Sequence, residues 1–277
     1  MEYLMTYGWA ILIIAIVLVA LFSLGVFNST NFAPKAPPGS CQVFRPNGPG
    51  TAFDLNLEGE CNGELPQYVA QFNGASSGIS IQPTSGLDPQ SITVSAWASL
   101  APVAGMYGVV TDKPSAANGI NIYMSSSGQN VGSLMTSYAG GQPASYNTWY
   151  YLVATYNPMT GNDLFYVNGQ YVAWAPATAG VMSNSGQSTV IGEFYNYGYD
   201  HFDGMISNVQ IYNFTMPAND IQTLYNEGIG GAPIDITNLV GWWPLNGNAQ
   251  DYSGNQNNGV ATSVVYTTSW GSTYTQP

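Results

Sequence analysis

The chain opens on an almost wholly apolar run, Trp9 to Phe27, and changes character further on: from Gln67 apolar and polar positions alternate in short stretches separated by glycine, asparagine and proline. Thirteen residues of the first run are Ile, Leu, Val or Phe. At about 1.5 Å per residue its nineteen positions would reach roughly 28 Å as a helix, close to the hydrocarbon thickness of a bilayer. Those side chains contribute roughly −4 to −8 kcal/mol on an insertion scale, so the run predicts a retained membrane helix rather than a cleaved signal. The alternating part predicts strands: QYVAQF, GISIQ, SITVSAWASL, GINIYM, WYYLVATY, DLFYV, QYVAW, STVIGEF and MISNVQIYNF are all strand-length and rich in β-branched and aromatic residues. Asn168-Gly169, between two of them, is a type I′ hairpin signal, because both central positions of that turn need positive φ. Helical spacing occurs once in this part, in PANDIQTLYNEGIGG, with Ile221, Leu224 and Tyr225 apolar and glycines suited to a C-cap. Many short strands over more than 200 residues predict a mostly β fold, two antiparallel sheets packed as a sandwich.

Residues 28–40, NSTNFAPKAPPGS, have no apolar periodicity and several prolines, and read as a stiff linker between helix and head. Cys41 and Cys61 are the only cysteines, and in an exported chain they are expected to pair. A loop of that length is stabilised by roughly 3 kcal/mol in the chain-entropy model. Two free thiols or half a metal site is the weaker alternative, since no histidine lies nearby. Three basic residues, Lys35, Arg45 and Lys113, stand against fifteen acidic ones, for a net charge of −12. Nucleic acid is thereby excluded as a partner, since phosphate binding needs clustered Lys and Arg. The surface must be built from Ser, Thr, Asn, Gln, Gly and Tyr, which fits an extracellular protein whose solubility rests on hydration, glycans or self-association.

At Glu2-Tyr3-Leu4 and Gly8, followed by the apolar run, the chain resembles archaeal type IV pilins. Precursors of that family carry a basic leader cut a few residues before the Glu, and no Lys or Arg precedes the run here, so the resemblance implies that Met1 falls inside the mature subunit. It also implies that Glu2 meets the amino terminus of a neighbouring subunit as helices bundle into a filament core. A carboxylate at the mouth of an apolar helix needs such a partner; the alternative is a Glu wetted at the membrane interface. The expected partners are then the membrane before assembly and further copies of the chain in a helical homopolymer.

The strands, in their order, resemble the laminin-G-like or concanavalin-A-like jelly-roll family. AQFNG at Ala70 to Gly74, ITVSAWASL, WYYLVATYNPMTGNDLFYVNGQYVA and GMISNVQIYNFTMPANDIQTLYNEG match its motifs in register, over roughly residues 67–228. GWWPLNGNAQDYSGNQNNGVATSVVY resembles the segment that normally opens such a domain, yet it comes last. Either it is a truncated repeat or the order is circularly permuted, with residues 239–266 filling the place of missing first strands. Permutation is preferred physically, because a lone hairpin has too little core and an unfilled position leaves a bare edge. It predicts that Val240 to Leu245 pairs antiparallel with Met205 to Tyr212, one of Trp242 and Trp243 facing inward. The head domain is taken as 41–277, after a helix at 1–27.

No catalytic set stands out. A jelly-roll glycosidase needs two carboxylates flanking the bond, and Glu58, Glu60 and Glu64 in the cysteine loop have no aromatic platform beside them. His201, the sole histidine, is accompanied by no nucleophile-elbow sequence. The expectation is a non-enzyme. For recognition, Tyr195, Tyr197 and Tyr199 alternate in EFYNYGYDH and would share a strand face on which sugar rings stack; covering the sheet or touching neighbouring subunits is the alternative. Asp251, Asn255 and Asn258 lie in a segment dense in hard oxygen ligands, a candidate Ca²⁺ site, the alternative being a turn whose side chains cap their own backbone. Asn28 and Asn213 head glycosylation sequons. No cofactor is expected to be required. Together these readings predict a cell-surface filament subunit whose jelly-roll head mediates adhesion, or alternatively a membrane-anchored lectin that does not polymerise.

Overall fold

The computed structural model describes residues 13–15, 17, 65–87, 89–102, 106–111, 119–125, 130–134, 138–177, 186–194 and 200–277. Glu2, Asn28, Cys41, Cys61 and the linker 28–40 lie outside these residues, as does nearly all of the apolar run. Among the described residues no helix is long and apolar enough to cross a membrane.

The strands are β1 (Val69–Asn73), β2 (Gly78–Ile81), β3 (Ile92–Leu100), β4 (Met106–Thr111), β5 (Asn121–Ser125), β6 (Asn130–Leu134), β7 (Tyr138–Pro143), β8 (Tyr150–Asn157), β9 (Asn162–Val167), β10 (Gln170–Pro176), β11 (Thr189–Ile191), β12 (Glu193–Phe194), β13 (Asp200–His201), β14 (Asp203–Tyr212), β15 (Leu239–Trp243), β16 (Gly259–Thr262) and β17 (Val265–Thr267), with one head-domain helix, α1 (Ala218–Glu227). They form two antiparallel sheets, the jelly-roll sandwich that the alternation and the resemblance predict. The larger runs β10-β9-β8-β3-β14-β1-β17, the smaller β16-β2-β11-β4-β5-β6-β7, and β12 and β13 make a separate hairpin.

Period-two alternation sorts the larger sheet's side chains into two layers. On β3, Ile92, Val94, Ala96, Ala98 and Leu100 enter the core between the sheets, while Trp97 points the other way. On β8, Leu152 and Ala154 face inward and Tyr151 and Val153 outward. Every residue of β3 is nonetheless buried, because the outer face is covered too. α1 lays Ile221 and Leu224 onto it, ending at Gly228, whose φ of 82° only glycine adopts freely. The C-terminal tail adds Trp270 and Tyr274. Trp97 stacks on Tyr225 of α1 at 5.8 Å and meets Tyr274 edge-on at 5.5 Å, and Trp149 meets Trp270 at 6.3 Å. Such pairs each contribute about 0.5–1.5 kcal/mol beyond the area they bury.

The end of the chain completes both sheets. β15 pairs antiparallel with the second half of β14, Val209 opposite Trp243, while β1 pairs with its first half. Trp243 enters the inner core and Trp242 the outer layer, so both indoles are buried on opposite faces. β16 then joins the edge of the smaller sheet at β2, and after a turn at Ser263 β17 joins β1 in the larger.

Burial raises several tyrosines of this sandwich well above their ordinary range. Tyr151 and Tyr212 are pushed up chiefly by desolvation, and Tyr266 and Tyr274 are raised to about 12 by the same cause. In the unfolded chain these phenols ionise near pH 10. Above that pH the folded state keeps protons that the unfolded state has lost, so stability falls as pH rises. Denaturant melts are therefore expected to give a constant stability up to about pH 10 and a progressive loss between about pH 10 and 12. A stability that is flat to pH 12 would mean that these phenols are not shielded.

Candidate functional site

β10 is one end strand of the larger sheet, β17 the other. It begins at the Asn168-Gly169 turn, whose φ values of 50° and 75° are the two positive angles that the dipeptide predicts. The Asn168 side-chain oxygen accepts the Tyr151 N–H at 2.9 Å, which fixes the turn to β8. Tyr171 pairs with Tyr166 and Trp174 with Leu164, and the register shifts by one residue at Val172. In a regular strand, positions three apart face opposite sides. The bulge inserts one extra residue, so Tyr171 and Trp174 come to the same face, the outer one that Tyr166 and Leu164 also share. Tyr171 is 53% exposed and Trp174 56%. Tyr166, across from Tyr171 on β9, meets it edge-on at 5.7 Å. Burial, and secondarily Tyr171 beside it, raises the Tyr166 phenol, which keeps it neutral.

Primary amides join the start of β10 to α1. Gln170 Nε2 donates to Gln222 Oε1 at 2.6 Å, and Gln222 Nε2 donates to Asn226 Oδ1 at 3.1 Å, so three amides form a ladder from β10 to α1. The Gln222 amide lies so close to Gly169 that a Cβ there would meet Oε1 at 2.8 Å. Exposed aromatic faces suit a ligand with apolar C–H faces. In the sequence, QYVAW reads only as a strand, because the bulge that brings its two aromatics together has no signature there.

The other candidate residues are placed as follows. Tyr195, Tyr197 and Tyr199 lie outside the described residues; β12 and β13, which flank them, pair Glu193 with His201 and Phe194 with Asp200. His201 Nδ1 stands 3.2 Å from the Ser77 carbonyl oxygen and 3.9 Å from Glu193 Oε1, and Thr111 Oγ1 donates to the Glu193 carbonyl at 2.7 Å, so the sole histidine helps seat this hairpin on the smaller sheet. Asn73 Oδ1 accepts from the backbone N–H groups of Ala75, Ser76 and Ser77 and caps that turn. Asn213 is exposed just after β14, its backbone N–H donating to Asn238.

Asp251, Asn255 and Asn258 are brought to one loop but turned onto the main chain. Fully buried Asp251 accepts at Oδ1 from the N–H groups of Trp242 and Ser253, at 3.0 and 2.8 Å, and at Oδ2 from Ser253 Oγ and the Asn257 N–H, at 2.8 and 2.9 Å. Asn258 Oδ1 accepts the Asp251 N–H at 3.0 Å, and Asn255 Nδ2 donates to the carbonyls of Leu239 and Val240. This is the arrangement of a self-capping turn. Among the described residues no three His, Cys, Asp or Glu side chains gather as a metal site would require.

Residues 73–222, more than half of the chain, match the family described as the concanavalin A-like lectin/glucanases superfamily, and the chain belongs to it. Among solved structures, a protein from Bacteroides ovatus ATCC 8483 provisionally described as carbohydrate binding superposes with a TM-score of 0.59 at 18% identity, over 73% of this chain and 60% of its own. The CBM40 of a Ruminococcus gnavus sialidase, bound to α2,3 sialyllactose, gives 0.44 at 11% identity, over 56% and 96%. Domain 4 of an extracellular arabinanase from Geobacillus stearothermophilus, in complex with arabinotriose, gives 0.43 at 18%, over 56% and 75%. These likenesses are ones of fold. No curated protein matches the sequence.

Removing the Asp251 carboxylate would strand buried N–H groups with no acceptor. Asp251→Ala is expected to cost about 3 kcal/mol or more, measured by denaturant melts. Because the carboxylate's donors are the protein's own, the wild-type melting temperature should be the same in millimolar calcium and in excess chelator. A rise with calcium would place a cation in this loop.

Proposed function

We propose that this chain is a cell-surface carbohydrate-binding protein without catalytic activity, whose site is the outer face of β10. The observation that carries this reading is that Tyr171 and Trp174 stand more than half exposed on one face of a sheet edge. Scattered exposed aromatics are ordinary; a bulge that sets two of them side by side on a rigid strand is a built surface. Family membership agrees with it, although this fold also hosts enzymes and structural domains. A glycosidase would need two carboxylates across the ligand from each other. Asp163, the acidic residue of the adjoining strand, is wholly buried. Attachment to the surface would come from the Trp9–Phe27 run.

Filament assembly is the second reading, supported by Glu2-Tyr3-Leu4 ahead of that run. Electron microscopy of native surface material separates the two: helices bundled in a common core support the filament, and isolated anchored copies exclude it.

For the site itself, affinity electrophoresis through a panel of immobilised polysaccharides should show retardation of the wild type that Trp174→Ala reduces at least tenfold, with thermal stability unchanged. Equal retardation of a folded Trp174→Ala variant would remove the site from β10.

A further inference from the structure

An asparagine followed by glycine is an unhindered step in a chain, because the glycine nitrogen has no side chain beside it to block its approach to the asparagine side-chain carbonyl. Four such steps have both residues described: Asn73-Gly74, Asn168-Gly169, Asn246-Gly247 and Asn258-Gly259. We infer that the third is a site of self-modification. There the Gly247 nitrogen closes on the Asn246 side chain, and water opens the ring to a mixture of aspartate and isoaspartate at position 246.

The reaction needs water and no cofactor. The Gly247 N–H gives its proton to solvent, and the nitrogen adds to Asn246 Cγ. The Cγ–Nδ2 bond breaks, ammonia leaves and a succinimide ring remains. Water then enters at one of the two ring carbonyls. At Cγ it restores the ordinary main chain with an aspartate; at the main-chain carbonyl it leaves the chain running through the side chain as isoaspartate. One water is consumed and one ammonia released, and nothing is oxidised or reduced.

Attack requires a glycine nitrogen that no acceptor holds and a side-chain oxygen that can take up negative charge. Position 246 offers both. Asn246 and Gly247 are exposed in the loop after β15, and no described acceptor meets the Gly247 N–H. Gly247, with a φ of 89°, stands in open space, where an added Cβ would meet nothing nearer than Tyr68 Cδ2 at 3.6 Å. Asn246 Oδ1 accepts the Tyr68 N–H at 2.8 Å, so a donor already stands at the oxygen on which charge develops.

The other three steps are restrained. The Gly74 N–H donates to the Phe202 carbonyl at 3.0 Å and the Gly259 N–H to the Ala249 carbonyl at 2.8 Å, so each must break a main-chain bond before it can attack. Gly169 is buried against the Gln222 amide. Asn168 is held to Tyr151 twice, its N–H on the Tyr151 carbonyl and its Oδ1 on the Tyr151 N–H. Ring closure there would turn Asn168 out of its tight turn and break both bonds.

Position 246 also lies at a seam. The Tyr68–Asn246 bond ties the start of β1 to the segment that completes both sheets. An aspartate keeps an oxygen for the Tyr68 N–H, whereas an isoaspartate lengthens the main chain by a methylene and moves the acceptor, which loosens the seam.

The full chain is to be held at mildly alkaline pH, native and in parallel unfolded in denaturant, with samples taken over weeks for peptide mapping. In the native protein the gain of one mass unit should appear at Asn246 about tenfold or more faster than at Asn73, Asn168 or Asn258, the factor that one main-chain hydrogen bond supplies. In denaturant the four rates should converge. The isolated isoaspartate form should melt below both the wild type and Asn246→Asp, and equal melting overturns the loosening of the seam. Faster modification at any of the other three in the native protein, or an unmodified Asn246 over the time in which the unfolded chain is converted, overturns the inference as a whole.

Discussion

A sheet whose strands carry apolar side chains on both faces must be covered twice, and the form of this molecule follows from how the second cover is supplied. The inner face of the larger sheet is covered by the smaller sheet. The outer face is left to one ten-residue helix, the segment after it and the C-terminal tail, which close over Trp97, Tyr151 and Trp149. A helix of that length is about 15 Å long, whereas strands about 4.8 Å apart make the sheet wider than that. Among the described residues the cover is centred on β3, β8 and β14, and it reaches β10 at the Gln170–Gln222 bond. Trp174 and Tyr171 are exposed for this reason, and the same short cover that stabilises the fold leaves its edge open.

Of the register shifts in these sheets, the bulges on β14 and β10 each turn a later side chain to the face that alternation would deny it. On β14 the register shifts between Ser207 and Gln210, where Asn208 has a φ of 49°. Ile206 before it and Val209 and Ile211 after it all face the inner core, which unbroken alternation would forbid. The extra residue is held by Asn208, whose amide nitrogen donates to the Gly231 carbonyl while its oxygen accepts from Gln210 and from the Trp242 indole. The bulge also divides the edge of β14, so β1 takes one half and β15 the other. At Val172 the same device makes a surface instead of a core.

What the sequence discloses follows this division. β3 and β8 read directly, because each residue's face is set by parity alone, and α1 reads from its spacing and its closing glycine. β6 and β7, NVGSL and YAGGQP, carry few apolar residues and, in β7, a glycine pair, so they show no clear alternation and are strands because β5 pairs with β6 and β6 with β7. The β10 face is illegible for the opposite reason: QYVAW alternates well enough to read as a strand, and only the pairing reveals the added residue. The loop of Asp251, Asn255 and Asn258 shows in the sequence as a cluster of oxygen-bearing side chains, but composition does not tell whether such oxygens converge on a cation or on the backbone. Asp251 is aimed at the N–H groups of Trp242, Ser253 and Asn257, contacts that follow from the path of the chain after β15.

An open two-ring platform also limits how tightly any single copy can hold a glycan. Its two rings are each more than half exposed, so much of a bound sugar would stay in water, and two stacking contacts with a few neutral hydrogen bonds would have to offset the entropy of association. Affinities near the millimolar end of the scale follow from such terms, about −4 kcal/mol. Weak sites gain strength when many copies are held together, because each later contact is intramolecular and avidity rises by about 10²–10⁴. On the proposed reading, a head domain tethered to a membrane or stacked along a filament would meet that requirement in either case. The site proposed on β10 and the apolar run would then be complementary, the second supplying the copy number that the first needs.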